Sequence, residues 1–218
     1  EQGRGRLREW IRRWLIPSAD AIIVNGESGA RYIKRFGFPD EKIFRVPQTT
    51  DTTAHFRLPI AVNGRPRNFL YVGRLVELKG VRAFIDAMIA TATANARETY
   101  RVRFAGDGPL RDTFAALSLP KNLTLEFLGN LDYEALPTEY GNADILVLPT
   151  LSDEWGLVVV EAMAAGLPIL GSIYSQAVEE LCQEGINGWR FTPGTPGSLE
   201  SALDRALEVS DETLLRMK

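Results

Sequence analysis

Apolar runs of about four residues alternate along this chain with stretches in which apolar side chains recur every three or four positions, and glycine or proline stands at nearly every junction. Short runs that are apolar on both faces read as strands of a parallel sheet, and the stretches between them as helices that cover it. The strands expected are Asn68 to Gly73, Val102 to Gly106, Leu123 to Leu128, Asp144 to Pro149 and Pro168 to Gly171. Helices are expected at Val81 to Thr93, Leu110 to Leu117, Tyr133 to Gly141, Leu157 to Ala165, Ala177 to Glu184 and Ser198 to Val209. From Arg67 onward the pattern predicts an α/β domain, a doubly wound parallel sheet with helices on both faces.

The first part is different. Ala21 to Val24 reads as a strand, Glu27 to Phe36 as an amphipathic helix and Ile43 to Val46 as a second strand, followed by a Pro-, Thr- and Asn-bearing stretch without periodicity up to Pro66. One βαβ unit cannot bury a core of its own, since about 60 residues is already marginal for independent folding. The expectation is therefore the tail of an incomplete first domain at 1–46, an interdomain linker at 47–66 and a complete domain at 67–218.

Residues 1–16 hold Arg4, Arg6, Arg8, Arg12 and Arg13 against Glu1 and Glu9, with Trp10, Ile11, Trp14 and Leu15 interleaved. Such a helix could lie on an anionic membrane surface, a peripheral contact. The reading preferred here is a helix packed on the rest of the first domain, with its arginines in water.

Composition narrows the function classes. The 218 residues are 45% apolar and 24% charged, ordinary for a globular protein and unlike a disordered or fibrous chain. No apolar run approaches the roughly 20 residues of a spanning helix or the 7 to 15 of a secretory signal, so a cytoplasmic location is expected. Cys182 alone excludes an intrachain disulfide and a thiolate metal cluster, and His55 alone excludes most histidine metal sites. A net charge of −3 gives no support for nucleic-acid binding.

Candidate chemistry gathers at strand ends. In Ser152 to Gly166 the helical stretch is apolar nearly all round, with Glu161 its single charge. A carboxylate buried without partners costs several kcal/mol, so Glu161 should reach a cleft or await a ligand. Side chains tilt toward a helix N-terminus, which aims it at the loop holding Asp153, Trp155 and Gly156. The backbone amides of Gly156, Leu157 and Val158 and the positive end of the dipole would form an anion site there. A phosphate beside a carboxylate suggests a nucleotide, the carboxylate taking the ribose hydroxyls. Two other readings stay open: Glu161 as a core carboxylate paired with an arginine, and Leu157 to Val160 as a strand, given three consecutive valines.

Gly73, Arg74 and Lys79 follow the first strand of the large domain, where ligands of doubly wound sheets bind. A guanidinium fork and an ammonium could clamp a diphosphate. Taken by itself, this segment favours solvated charges, with Lys79 pairing Glu77 or Asp86. The turn Gly106, Asp107, Gly108, Pro109 lacks the third glycine of a dinucleotide fingerprint, because residue 111 is Arg, so it is expected to be mainly structural.

These stretches occur in a family's order and spacing. YVGRLVELKG, FAGDGPL, FLGN, ADILVLPT, DEWGLVVVEAMAAGLPIL and EGINGWRF resemble the donor-binding domain of a GT-B glycosyltransferase of the retaining family 4 group. Residues 20–56 are similar to the end of that family's first domain and its linker. The resemblance implies a Rossmann-like second half and a nucleoside-diphosphate sugar as donor, with an acceptor it does not specify. It implies that Arg74 and Lys79 hold the donor's diphosphate and that Glu161 binds ribose. Asp153 stands where the family has the Glu that contacts sugar hydroxyls, and Glu154 beside it could take over. Gly73, Gly156, Leu157 and Val158 match the backbone that meets the diphosphate and sugar.

The implied activity is hexosyl transfer, in keeping with polysaccharide biosynthesis, with no cofactor and no metal. Growing charge on the leaving diphosphate would be met by Arg74, Lys79 and the amides at 156–158. Retention of anomeric configuration follows from the resemblance alone. Rival readings are a non-catalytic nucleotide- or protein-binding module, a membrane-attached scaffold using residues 1–16, and a sugar-phosphate phosphorylase or synthase of the same architecture. With the first domain represented only by its tail, the 218 residues alone are expected to be inactive.

Overall fold

The structure, a computed structural model, describes residues 2–53 and 67–217, with the backbone only for 2–6. The chain divides into two compact units, Glu1–Thr49 and Thr50–Lys218. Much of the stretch read as a linker, residues 54–66 with His55, lies outside the described residues.

In the first unit, α1 (Gln2–Leu15) leads into β1 (Ile22–Val24), α2 (Glu27–Lys34) and β2 (Ile43–Arg45), and the two strands pair in parallel. Its small core is Ala30, Phe38 and Ile43, with Ile16, Ile22, Val24 and Ile33 against them. Arg45 ties the unit together by pairing with Glu27 at 2.6 Å and Asp40 at 2.8 Å. All described side chains of α1, residues 7–15, are exposed, Leu7, Trp10, Ile11, Trp14 and Leu15 among them, while the Arg12 guanidinium lies 5.9 Å from the centre of the Tyr32 ring. Ile23 and Phe44, adjacent in the register of β1 and β2, are exposed as well. No helix among the described residues is long and apolar enough to cross a membrane.

The second unit is built on six parallel strands: β3 (Asn68–Val72), β4 (Tyr100–Ala105), β5 (Leu123–Gly129), β6 (Ile145–Leu148), β7 (Ile169–Ser172) and β8 (Gly188–Phe191). Their order is β5-β4-β3-β6-β7-β8. Alternation along each strand sends successive side chains to opposite faces. Phe69, Tyr71, Ile145 and Val147 join α3 (Val81–Ala94) and α8 (Ser198–Glu208) in one core through Phe84, Ile85, Met88 and Leu203. Leu70, Leu146 and Leu148 join α5 (Leu136–Gly141), α6 (Leu157–Ala164) and α7 (Gln176–Leu181) in the other through Tyr140, Val159, Ala162 and Val178. The apolar-on-both-faces strands thus have helices on both sides, as the pattern requires.

Asp144, expected inside a strand, instead precedes β6. Its buried carboxylate accepts from the backbone N–H groups of Arg67 and Asn68 at 3.0 and 2.9 Å, which fixes β3 beside β6. Two short helices, α4 (Arg111–Ala115) and α9 (Asp211–Met217), complete the unit.

Candidate functional site

The chain leaves β3 toward β4 on one side and leaves β6 toward β7 on the other. This reversal opens a crevice beyond the carboxyl ends of β3 and β6, the place where ligands of such sheets bind. Two loops frame it: residues 73–80 after β3 and residues 149–156 after β6. Gly73, Arg74 and Lys79 stand on the first, Asp153, Glu154 and Gly156 on the second, and Leu157, Val158 and Glu161 on α6. The fold brings every residue read from the sequence as donor-binding to this end of the sheet.

The two loops are bonded to each other. The Leu151 N–H donates to the Leu78 carbonyl at 2.9 Å, and the Thr150 hydroxyl reaches the same oxygen at 3.3 Å. Gly80, at φ +63°, allows this approach: a Cβ there would lie 2.1 Å from the Pro149 carbonyl oxygen. The docking places the Lys79 ammonium 2.5 Å from the Asp153 carboxylate, with the two side chains 23% and 18% exposed. The pairing of Lys79 with Glu77 or Asp86 expected from sequence is therefore corrected. Asp86 bonds Arg82 one helical turn away at 2.9 Å, and Lys79 finds a carboxylate 74 residues further along.

Arg74 is exposed, and its carbonyl accepts from the buried Tyr71 hydroxyl at 2.8 Å. Burial raises the pKa of that hydroxyl, the charge of Asp153 raises it further, and Arg74 counters in part. Asp153 and Arg74 thus act on the same buried group from the two loops. The Gly106 to Pro109 turn buttresses the first loop: the Leu75 N–H donates to the Asp107 carbonyl at 2.9 Å, and the Leu110 N–H to the Leu75 carbonyl at 3.2 Å.

Leu157 to Val160 is helical, which settles the strand alternative against three valines. Val159 is fully buried against the sheet beside Ala162, and this burial outweighs the weak helix propensity of valine. Gly156 starts α6 at φ +100°, and no side chain caps the helix, so its leading amides point to the crevice without an intrahelical carbonyl. A Cβ on Gly156 would meet the Ser175 hydroxyl at 2.9 Å, and that hydroxyl donates to the Trp155 carbonyl at 2.6 Å. Glu154 is exposed beside them.

Among the described residues Glu161 has no arginine partner. Its Oε2 accepts from the Tyr140 hydroxyl at 2.8 Å, and among the described residues Oε1 takes no further hydrogen bond. The Tyr140 pKa is pushed well up, first by burial and then by the charge and hydrogen bond of Glu161, so Tyr140 stays a donor. Tyr140 was not identified from the sequence. A tyrosine ahead of a wholly apolar strand signals a buried hydroxyl in need of an acceptor, but not which acceptor.

Among the described residues no three His, Cys, Asp or Glu side chains gather as a metal site would need. A hollow of about 260 Å³ at the opposite end of the sheet is lined by Arg67, Glu98 and Tyr100, and there Arg67 and Glu98 pair with each other. An apolar groove of about 240 Å³ beside the site is lined by Pro149, Leu151, Phe191 and Leu199, among others.

Residues 54–218 match the family model for glycosyl transferases group 1. An uncharacterized glycosyltransferase of Methanocaldococcus jannaschii is 30% identical over 203 residues, 87% of this chain and 51% of that protein. The sulfoquinovosyl transferase of Arabidopsis thaliana is 33% identical over 189 residues, 83% of this chain and 34% of that protein. The chain spans about half the length, or less, of the curated relatives it matches. Among solved structures, Anabaena HepE in complex with UDP superposes with a TM-score of 0.71 at 21% identity, covering 91% of this chain and 57% of that one. With the family matched over most of the sequence and the sheet matched in space, this chain belongs to the group 1 glycosyl transferases and carries their GT-B, Rossmann-like architecture.

Proposed function

We propose that residues 67–218 form the donor-binding side of a glycosyltransferase that moves a sugar from a nucleoside-diphosphate sugar to an acceptor, with residues 1–46 belonging to the acceptor side. The observation that carries this is one crevice holding Arg74, Lys79, the uncapped amides of α6 and Glu161. These are two cations, a set of amides for an anion and a carboxylate for hydroxyl donors. The crystallised HepE complexes with UDP and with UDP-glucose support a uridine nucleotide as the first probe.

In the transfer, the bond from the anomeric carbon to the diphosphate oxygen breaks, and its electron pair stays on the phosphate. The acceptor oxygen bonds the same carbon and gives its proton to the departing diphosphate oxygen. Arg74, Lys79 and the amides at 156–158 oppose the charge growing on the leaving group, in an arrangement fixed before the reaction. Glu161 holds the ribose through its free Oε1, while Tyr140 occupies Oε2. We propose a retaining reaction with no metal ion, the positive charge coming from side chains and amides.

The test is calorimetric titration of the 218-residue chain with UDP and GDP. Lys79→Ala removes a charge-assisted contact worth roughly 1.5 to 3 kcal/mol, about 10- to 100-fold in affinity. Equal binding by parent and variant would show that the diphosphate does not lie here.

A further inference from the structure

Glu161 and the tyrosine that bonds it differ in how firmly each is held. The Tyr140 ring is fully buried in the core that contains Leu70, Leu146 and Ala162, and a ring packed in this way has no second rotamer to enter. Glu161 is half-buried and is the single charge of α6, with three torsions between its carboxylate and the helix backbone. The 2.8 Å bond from the Tyr140 hydroxyl to Oε2 removes most of that freedom and fixes the direction of Oε1.

Tyr140 is in turn held from below. α5 has six residues, no side-chain cap and Pro137 in its first turn, too little for a helix to keep its own place. Arg103 of β4 shares a face of the sheet with its register partner Leu70, and its guanidinium bonds Glu139, the residue before Tyr140, twice. Nη1 donates to the Glu139 carboxylate and Nη2 to the Glu139 carbonyl at 3.2 Å, in the last turn of α5 where carbonyls lack intrahelical donors. The two side chains are only 8% and 20% exposed, and among the described residues Arg103 Nε donates to no acceptor. A buried ion pair commonly adds nothing to stability over packed apolar residues of similar volume, and an unsatisfied N–H subtracts from it. What this pair does provide is a fixed orientation for α5.

We infer that Tyr140, held in place by the buried pair of Arg103 and Glu139, is a positioning residue that aims the Glu161 carboxylate and so sets how strongly the site discriminates ribose from a sugar without its hydroxyls. This rests on the nucleotide reading of the site given above. A hydroxyl donor needs its acceptor at a defined distance and angle. A carboxylate that must first be immobilised loses part of the bond to the ordering of its own side chain. Here that ordering is built into the folded protein through Tyr140. Losing the Tyr140 hydroxyl therefore weakens ligands that carry ribose hydroxyls, and it leaves the contacts of Arg74, Lys79 and the α6 amides as they are.

The experiment is calorimetric titration of the 218-residue chain and its variants with UDP and with 2′,3′-dideoxy-UDP, after urea unfolding has shown that each is folded. Tyr140→Phe keeps the ring and its packing and removes the hydroxyl. It is expected to bind UDP about three- to tenfold more weakly than the parent, the scale of one net hydrogen bond, and to bind 2′,3′-dideoxy-UDP within about twofold of it. In a Glu161→Ala background the same replacement should change both affinities by less than about twofold, because Tyr140 acts through residue 161. Replacing Arg103 and Glu139 together by methionine keeps the volume and removes the buried charges. That variant should unfold at or above the urea concentration of the parent, yet its preference for UDP should fall at least about twofold. Arg103→Lys keeps the charge but cannot reach both Glu139 oxygens, and it should lower the preference in the same direction. An unchanged preference in Tyr140→Phe, or equal weakening of both nucleotides, overturns the inference, the second because general loosening of the core would do the same. An unchanged preference in both Arg103 variants overturns the anchoring role of that pair. A parent chain that binds the two nucleotides equally well overturns the ribose reading of Glu161 itself, a distinct outcome.

Discussion

Gly80→Ala tests whether the crevice depends on the docking of its two loops. The residue has φ +63°, and the added Cβ would stand 2.1 Å from the Pro149 carbonyl oxygen. An L-residue in the left-handed region costs about 1 to 2 kcal/mol. The overlap is with backbone, so no rotamer change relieves it, and the loops must separate by about 1 Å to restore van der Waals contact. The separation would break the hydrogen bonds from Leu151 and Thr150 to Leu78, each worth about 0.5 to 1.5 kcal/mol. The sum is a loss of about 2 to 5 kcal/mol, within the 5 to 15 kcal/mol stability of an ordinary domain. Gly194→Ala is the control. Its φ is +79° and nothing lies within 4 Å of a Cβ there, so only the backbone cost applies. Urea unfolding should place Gly80→Ala about 1 to 3 kcal/mol below Gly194→Ala, and UDP titration should show at least tenfold weaker binding by Gly80→Ala alone. If the two variants unfold at the same urea concentration and bind UDP alike, the loops are not held by this approach.

Glu161→Gln leaves an oxygen to accept from Tyr140, so unfolding free energy should change by less than about 1 kcal/mol, while affinity for UDP falls and affinity for 2′,3′-dideoxy-UDP does not. A loss of several kcal/mol in stability, or equal losses for both nucleotides, would make Glu161 a structural acid. Burial, reinforced by the charge of Glu184, pushes the Cys182 thiol up to about 12 from an ordinary 9, and Arg190 counters in part. The native thiol should thus resist a disulfide reagent at pH 8 and react only as fast as the chain opens. Because the folded state disfavours the thiolate, this contribution to stability is whole below pH 9 and declines from pH 9 toward 12, a slope that Cys182→Ala should reduce.

The sequence disclosed the parts of the fold whose burial leaves a pattern. β3 and β6 are continuous apolar runs, and their ends were placed to within one or two residues. β8 was not seen as a strand, because Gly188 and Arg190 interrupt its pattern at the sheet edge. The glycine is there because a Cβ would lie 2.2 Å from the Ile169 carbonyl oxygen, a reason visible only once β7 is beside it. α9 is a seven-residue helix with one buried side chain, Leu214, too little for a period. At the site, position after a strand end selected Arg74 and Lys79, the lone charge on an apolar helix selected Glu161, and the family resemblance gave Asp153 its role. Their partners were not legible: Lys79 with Asp153 and Glu161 with Tyr140 are contacts across 74 and 21 residues, fixed by strand order and not by spacing.

The most direct test of the nucleotide site is a crystal structure of this chain soaked with UDP. The account predicts the diphosphate between Arg74, Lys79 and the amides at 156–158, with the ribose hydroxyls on Glu161 Oε1 and the Tyr140 bond to Oε2 retained. UDP bound elsewhere, as at the Arg67 and Glu98 hollow across the sheet, or a diphosphate that leaves Lys79 and α6 untouched, would contradict it.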